Sequence, residues 1–164
     1  MRSGFLNRIL VLLVVLLTAF SCREPDTQES FIPSSMLGSD GLYHFSVDLS
    51  DSLALSYDIS FYSRIDGSSL KVNAAKDFPM LVTWVSPTGQ RYGEKVYFGL
   101  HEPSKGSSFY SSQYRMLYLR EFLPKQPGIW GLDVRVDCPR SLSGFRGLGM
   151  ICKTNREDGT QETD

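Results

Sequence analysis

The chain has 164 residues, with 17 basic against 18 acidic side chains and a formal net charge of −1. A near-neutral balance with no basic stripe excludes a nucleic-acid binder that works through a positive face. The length allows one domain with one core.

The first element is not part of a fold. Met1–Arg8 carries Arg2 and Arg8 and no acid, Ile9–Phe20 (ILVLLVVLLTAF) is apolar apart from Thr18, and the small Ser21 precedes Cys22. This is the order of a secretory signal peptide. As a helix, that run would span only ~18 Å of a ~30 Å hydrocarbon core, so a permanent transmembrane span is the weaker reading. Ala19-Phe20-Ser21-Cys22 resembles a bacterial lipobox, in which a diacylglyceryl thioether forms on the cysteine before cleavage, although Phe20 stands where a small residue is commonest. Cys22 is therefore expected to be an acyl acceptor. Two or three chains anchor stably, since each buried CH₂ adds ~0.8 kcal/mol.

Cleavage before Cys22 divides the chain into residues 1–21 (signal), 22–40 (lipidated N-terminus and polar tether), 41–153 (the domain) and 154–164 (a polar tail). Of the 17 basic residues, Arg2 and Arg8 leave with the signal, so 15 then face 18 acids. The tether has few apolar residues and no sustained period. Its Glu24, Asp26 and Glu29 weakly resemble an acidic surface-export signal, and a solvated linker explains them equally well. The tail from Thr154 has no apolar residue and is expected to fray.

Between these lies a series of strands with period-2 alternation. Tyr43, Phe45, Val47 and Leu49 share one face, and Leu55, Tyr57, Ile59 and Phe61 share another. Phe78–Ser86 (FPMLVTWVS) is apolar on both faces, as a central strand would be, and Pro87-Thr88-Gly89 supplies a turn. Val96, Phe98 and Leu100 alternate with Lys95, Tyr97 and Gly99, and a further strand falls in Gln113–Phe122. Trp130, Leu132, Val134, Val136 and Cys138 point one way from a clear strand, and Leu148, Met150 and Cys152 do so from the last. The expectation is an all-β, antiparallel two-sheet β-sandwich of about seven strands, Ig-like or jelly-roll-like, with a small barrel as the alternative.

A lipobox cysteine, a polar tether and one β domain of this length resemble the gliding-motility lipoproteins of the GldH type from Bacteroidota. The resemblance runs from about Tyr43 to Lys153. It rests on YHFSVDL, LSYDISFYSR, MLVTWVSPTGQ, GIWGLDVRV and LSGFRGLGM, with Leu142, Gly144, Leu148, Gly149 and Met150 in the closing Leu-x-Gly and strand element. Asp66–Lys76 departs from the aromatic-rich lead expected of the family. The resemblance implies a sandwich-fold envelope lipoprotein, and it does not imply that the organism glides.

No catalytic or metal-binding spacing is present. His44 falls on the polar face of a strand and His101 in a Pro/Gly/Ser-rich loop, neither with a partner at motif spacing. No nucleophile elbow occurs, and Gly144, Gly147 and Gly149 read as a turn and a strand in which backbone passes close to a neighbour. The expectation is a non-enzyme without cofactor or metal. Cys138 and Cys152 share an oxidising compartment after export. They either pair, which requires their strands to face each other across the sandwich or a wide connection that resets the register, or remain two buried thiols, and pairing is the hypothesis adopted. Tyr92, Tyr97, Tyr110, Tyr114 and Tyr118 form a possible binding surface, against the plainer reading that tyrosine simply favours strands. Two functions follow: a lipid-anchored component of an envelope protein complex at the outer membrane, or a surface lipoprotein that binds a glycan or other ligand.

Overall fold

The computed structural model describes residues 27–51, 54–67, 77–100, 103–104, 110–137, 142 and 144–156. Cys22, His101 and Cys138 lie outside them. Eight strands run through the described residues: β1 (Thr27–Pro33), β2 (Tyr43–Asp48), β3 (Ser56–Asp66), β4 (Phe78–Val85), β5 (Arg91–Phe98), β6 (Ser111–Phe122), β7 (Ile129–Val136) and β8 (Phe145–Asn155). One turn of 3-10 helix, Ser34–Met36, follows β1.

The strands form two antiparallel sheets, β1-β8-β3-β6 (sheet A) and β2-β7-β4-β5 (sheet B). The first strand pairs with the last, β2 with β7, β3 with β6 and β4 with β5. This is one long hairpin rolled up on itself, with β3–β8 and β4–β7 as the contacts that close the roll. Such an order is a jelly roll. Each sheet keeps two edges, so the sandwich expected from alternation is present and the barrel alternative is not.

Alternation positions the core. Val47, Ile59, Phe61, Phe78, Val82, Phe98, Leu132, Val134 and Leu148 are wholly buried between the sheets. Each such side chain is worth ~1.5–3 kcal/mol relative to exposure. β4 is interior to its sheet, as its two-sided apolar character predicts, and its outward Leu81 is half-exposed.

Three expectations need correction. The polar tether does not extend to Asp40, because Thr27–Pro33 is strand β1 and pairs with Gly147–Lys153 along its full length. The Gln28 side chain then ties this edge to sheet B: its Nε2 donates to the Asp48 carbonyl at 2.7 Å and its Oε1 accepts from the Asp48 N–H at 2.8 Å. Nor does the tail begin at Thr154. β8 runs on to Asn155, held by β3, and Arg156 donates two hydrogen bonds to Asp51. Leu55, expected on the buried face, is exposed and precedes β3.

The close backbone approach expected at the C-terminal glycines is present. A Cβ on Gly144 would lie 1.6 Å from the Asp66 carbonyl oxygen, and one on Gly149 would lie 2.2 Å from the Tyr62 ring. Tyr62 thus lies flat across Gly149 and stacks on Phe31 of β1 at 5.7 Å.

Candidate functional site

β5 is an edge strand that directs Tyr92, Glu94, Val96 and Phe98 inward. Phe98 is fully buried, whereas Tyr92 at the other end is 48% exposed. The inner face of β5 is therefore covered at one end only. The end of β6 passes on the far side of that opening, and there its pairing with β3 is irregular. Ser60 pairs with Leu117 but Ile59 with Leu119, so Tyr118 is an extra residue; Tyr57 then pairs with Phe122, which leaves a second one. Glu121 takes a left-handed backbone (φ 52°). Asp58 supports this second bulge, accepting from the Glu121 N–H at 2.8 Å and from Asn155 Nδ2 at 3.1 Å. Bulges re-aim side chains at strand edges. Here Tyr118, Leu119 and Phe122 all turn towards the gap.

The result is a groove of about 290 Å³ lined by Trp84, Tyr92, Glu94, Leu119, Phe122 and Trp130, with Leu123 and Lys125 at its rim. Trp84 is its centre, with ring centroids 5.4 Å from Phe122 and 5.9 Å from Trp130, the latter edge-to-face. Trp84 Nε1–H donates to Tyr118 Oη at 3.0 Å, and the Tyr118 hydroxyl donates to a Glu94 carboxylate oxygen. Burial, and then the bond to Glu94, push the Tyr118 phenol far above its ordinary value. It stays a fixed donor. Trp130 Nε1–H is satisfied by the Gln126 carbonyl at 3.0 Å. The indole donors are thus committed inside the protein, and the groove offers a visitor an apolar floor, a positioned carboxylate and an ammonium. No serine, cysteine or histidine is among its lining residues.

The five tyrosines expected to share a surface do not. Tyr92 and Tyr118 belong to the groove. Tyr97 is exposed on the outer face of sheet B beneath Lys95, with Nζ 5.4 Å from its ring centre. Tyr110 stands exposed at the opposite end of the sandwich, and Tyr114 is 1% exposed in the core. Trp84, Glu94, Phe122 and Trp130 were not singled out by the sequence, because alternation marks them as inward without saying which stretch of the inner face is uncovered. His44 does have partners: Asp133 from β7 and Asp40 from the preceding turn, at 2.7 Å and 2.9 Å. Among the described residues no cluster of three or more His, Cys, Asp or Glu could hold a metal.

Cys152 lies on the core side of β8, and its thiol is pushed up to about 12 by burial, helped by Asp58. Among the described residues Cys152 is a free, buried thiol, and Cys138, its expected partner, lies outside them.

No protein-family model and no curated protein matches the sequence. A crystal structure of a protein from Sulfurospirillum deleyianum aligns with 80% of this chain and 98% of its own, at 10% identity and a TM-score of 0.37. A likeness that distant says nothing about function. Among the described residues no helix is long and apolar enough to cross a membrane.

Proposed function

We propose that this protein is a non-enzymatic lipoprotein, anchored in the outer membrane through Cys22, whose jelly roll is a recognition module in an envelope protein complex. The signal ending in Cys22 and the resemblance to GldH-type lipoproteins support the setting. The observation that carries the binding role is the groove, with its apolar floor and its carboxylate fixed by Tyr118. Pockets of this kind accept one or two anchoring side chains of a partner protein. A glycan is the second reading, favoured by the half-exposed Tyr92 ring beside Glu94. It is weaker because a sugar needs several hydrogen-bonding groups, and the groove provides only Glu94 and Lys125 outside its internally paired donors.

Placing a photo-crosslinking residue at Tyr92 in growing cells tests this. The expected result is an adduct with another envelope protein, with none from the same residue at Tyr97. Adducts with polysaccharide alone would establish the glycan reading. In parallel, Cys22→Ala should lose membrane association and processing; retention of both would overturn the lipid anchor.

A further inference from the structure

With β1 beginning at Thr27, only residues 23–26 separate it from Cys22. Covalent geometry limits the distance from Cys22 to Thr27 to ~18 Å even when fully extended. The Thr27 end of the domain can therefore lie no more than ~18 Å from a bilayer that holds the Cys22 lipid.

That end can be identified strand by strand. Thr27 pairs with Lys153 at the close of β8, and Gln28 is bonded to Asp48 at the close of β2. Leu55 N–H donates to the Asn155 carbonyl at 2.8 Å, which places the entry to β3 here. Leu49 N–H donates to the Gly128 carbonyl at 2.9 Å, and Thr88 Oγ1 to Gln126 Oε1 at 3.2 Å. These bring in the β6–β7 loop and the β4–β5 turn.

This end carries exposed apolar tips. Among the described residues, Leu55 (53%), Leu123 (68%) and Ile129 (63%) are exposed here, while Leu81 and Leu117 are exposed on the outer sheet faces and Met36 and Tyr110 at the opposite end. Leu123 forms a ridge shared by the aromatic groove and a second depression that includes Leu55 and Arg120. Arg120, Lys125 and Lys153 are exposed around these tips, together with the acids Asp48, Glu94 and Glu121, and Glu94 already holds the Tyr118 hydroxyl. Aliphatic tips with long cationic side chains beside them suit the boundary between phospholipid headgroups and acyl chains.

We propose that this end of the jelly roll is a membrane-docking surface. Leu55, Leu123 and Ile129 enter the headgroup–acyl boundary, and Arg120, Lys125 and Lys153 meet lipid phosphates. The docking rests on the lipid anchor at Cys22 and fixes the mouth of the aromatic groove beside the bilayer.

The chain has two tryptophans, Trp84 and Trp130, and both lie within two residues of this end of their strands, ~7 Å along the strand axis. Their fluorescence is a native proximity probe. The lipidated protein, purified from membranes, is incorporated into phosphatidylethanolamine–phosphatidylglycerol vesicles carrying a nitroxide on some headgroups. The protein is expected to float with the vesicles and to show strong tryptophan quenching. Leu123→Asp and Lys125→Glu should float equally but lower the docked-to-undocked ratio, roughly tenfold for Leu123→Asp. Tyr110→Ser, at the opposite end, should leave quenching unchanged. Flotation without quenching overturns the docking while leaving the anchor intact. A protein that does not float overturns the anchor and the docking together.

Discussion

On the outer face of sheet B, His44 places each ring nitrogen against a carboxylate, Nδ1 against Asp133 and Nε2 against Asp40. Both nitrogens can donate at once only in the imidazolium form. The bond to Asp133, followed by that to Asp40, accordingly raises the His44 value above its ordinary 6.5. Asp40 is held below its ordinary 3.8 by the Leu42 N–H first and by His44 second. The signs are opposite. His44 binds its proton more tightly in the folded chain, so its contribution is complete below ~6.5 and is lost as pH rises through the raised folded value. The Asp40 contribution is present above ~3.8 and is lost as pH falls through the lowered value. Solvent screens this exposed network, so the sensitive measurement is the titration itself. Imidazole NMR should place His44 above 6.5, and Asp133→Asn should move it back towards that value. A wild-type midpoint at or below 6.5 would show that the pairing does not persist in solution.

At the scale of elements, β1 shows what local sequence reveals and what it conceals. TQESFIP carries little apolar character, and its place in the fold depends on residues far along the chain. β8 supplies its backbone partners, and Gly149 lets Tyr62 lie flat enough to stack on Phe31. Phe31 is part-buried, so Phe31→Ala should cost about 1–2 kcal/mol, below the ~3–5 kcal/mol of a fully buried phenylalanine. Deleting Thr27–Pro33 should cost far more, because it bares the β8 edge. Chemical denaturation checks both, and midpoints unchanged from the parent would mean that these residues act only as a linker. The remaining strands were legible because most carry their own alternation, clearest in Tyr43–Leu49 and Trp130–Val136, and because Phe78–Val85 is a short apolar run closed by a turn. The groove was not. It depends on two bulges in β6 and on how far β5 extends past its cover, and neither leaves a periodic trace. Asp133 likewise becomes a partner of His44 only through the register of β2 on β7.

For the whole molecule, the rolled-up pairing sets the order in which the domain can form. Among the described strands only the paired β4 and β5 are joined by a tight turn, in which Ser86 N–H donates to the Gln90 carbonyl and Gly89 N–H to the Ser86 carbonyl, each at 2.8 Å. Gly89 adopts φ 82°, a conformation that costs glycine little. Every other ladder joins strands distant in sequence, and β1–β8 joins the two ends of the domain. Loop closure must precede the contacts that offset it, so such topologies fold in roughly milliseconds to seconds, slower than helical domains of similar size. The least costly first step is the β4–β5 hairpin joined by β7, which buries Val82 beside Val134. β1 can dock only after β8 is in place. Val82→Ala should therefore slow folding with little change in unfolding, while Ile32→Ala, in the strand added last, should speed unfolding and leave the folding rate nearly unchanged. Stopped-flow chevrons separate the two, and Ile32→Ala slowing folding as much as Val82→Ala would mean that the termini pair early. Late docking of β1 would also bear on the proposed anchor: a chain lipidated at Cys22 would fold its sandwich first and draw its aliphatic end onto the bilayer as β1 closes.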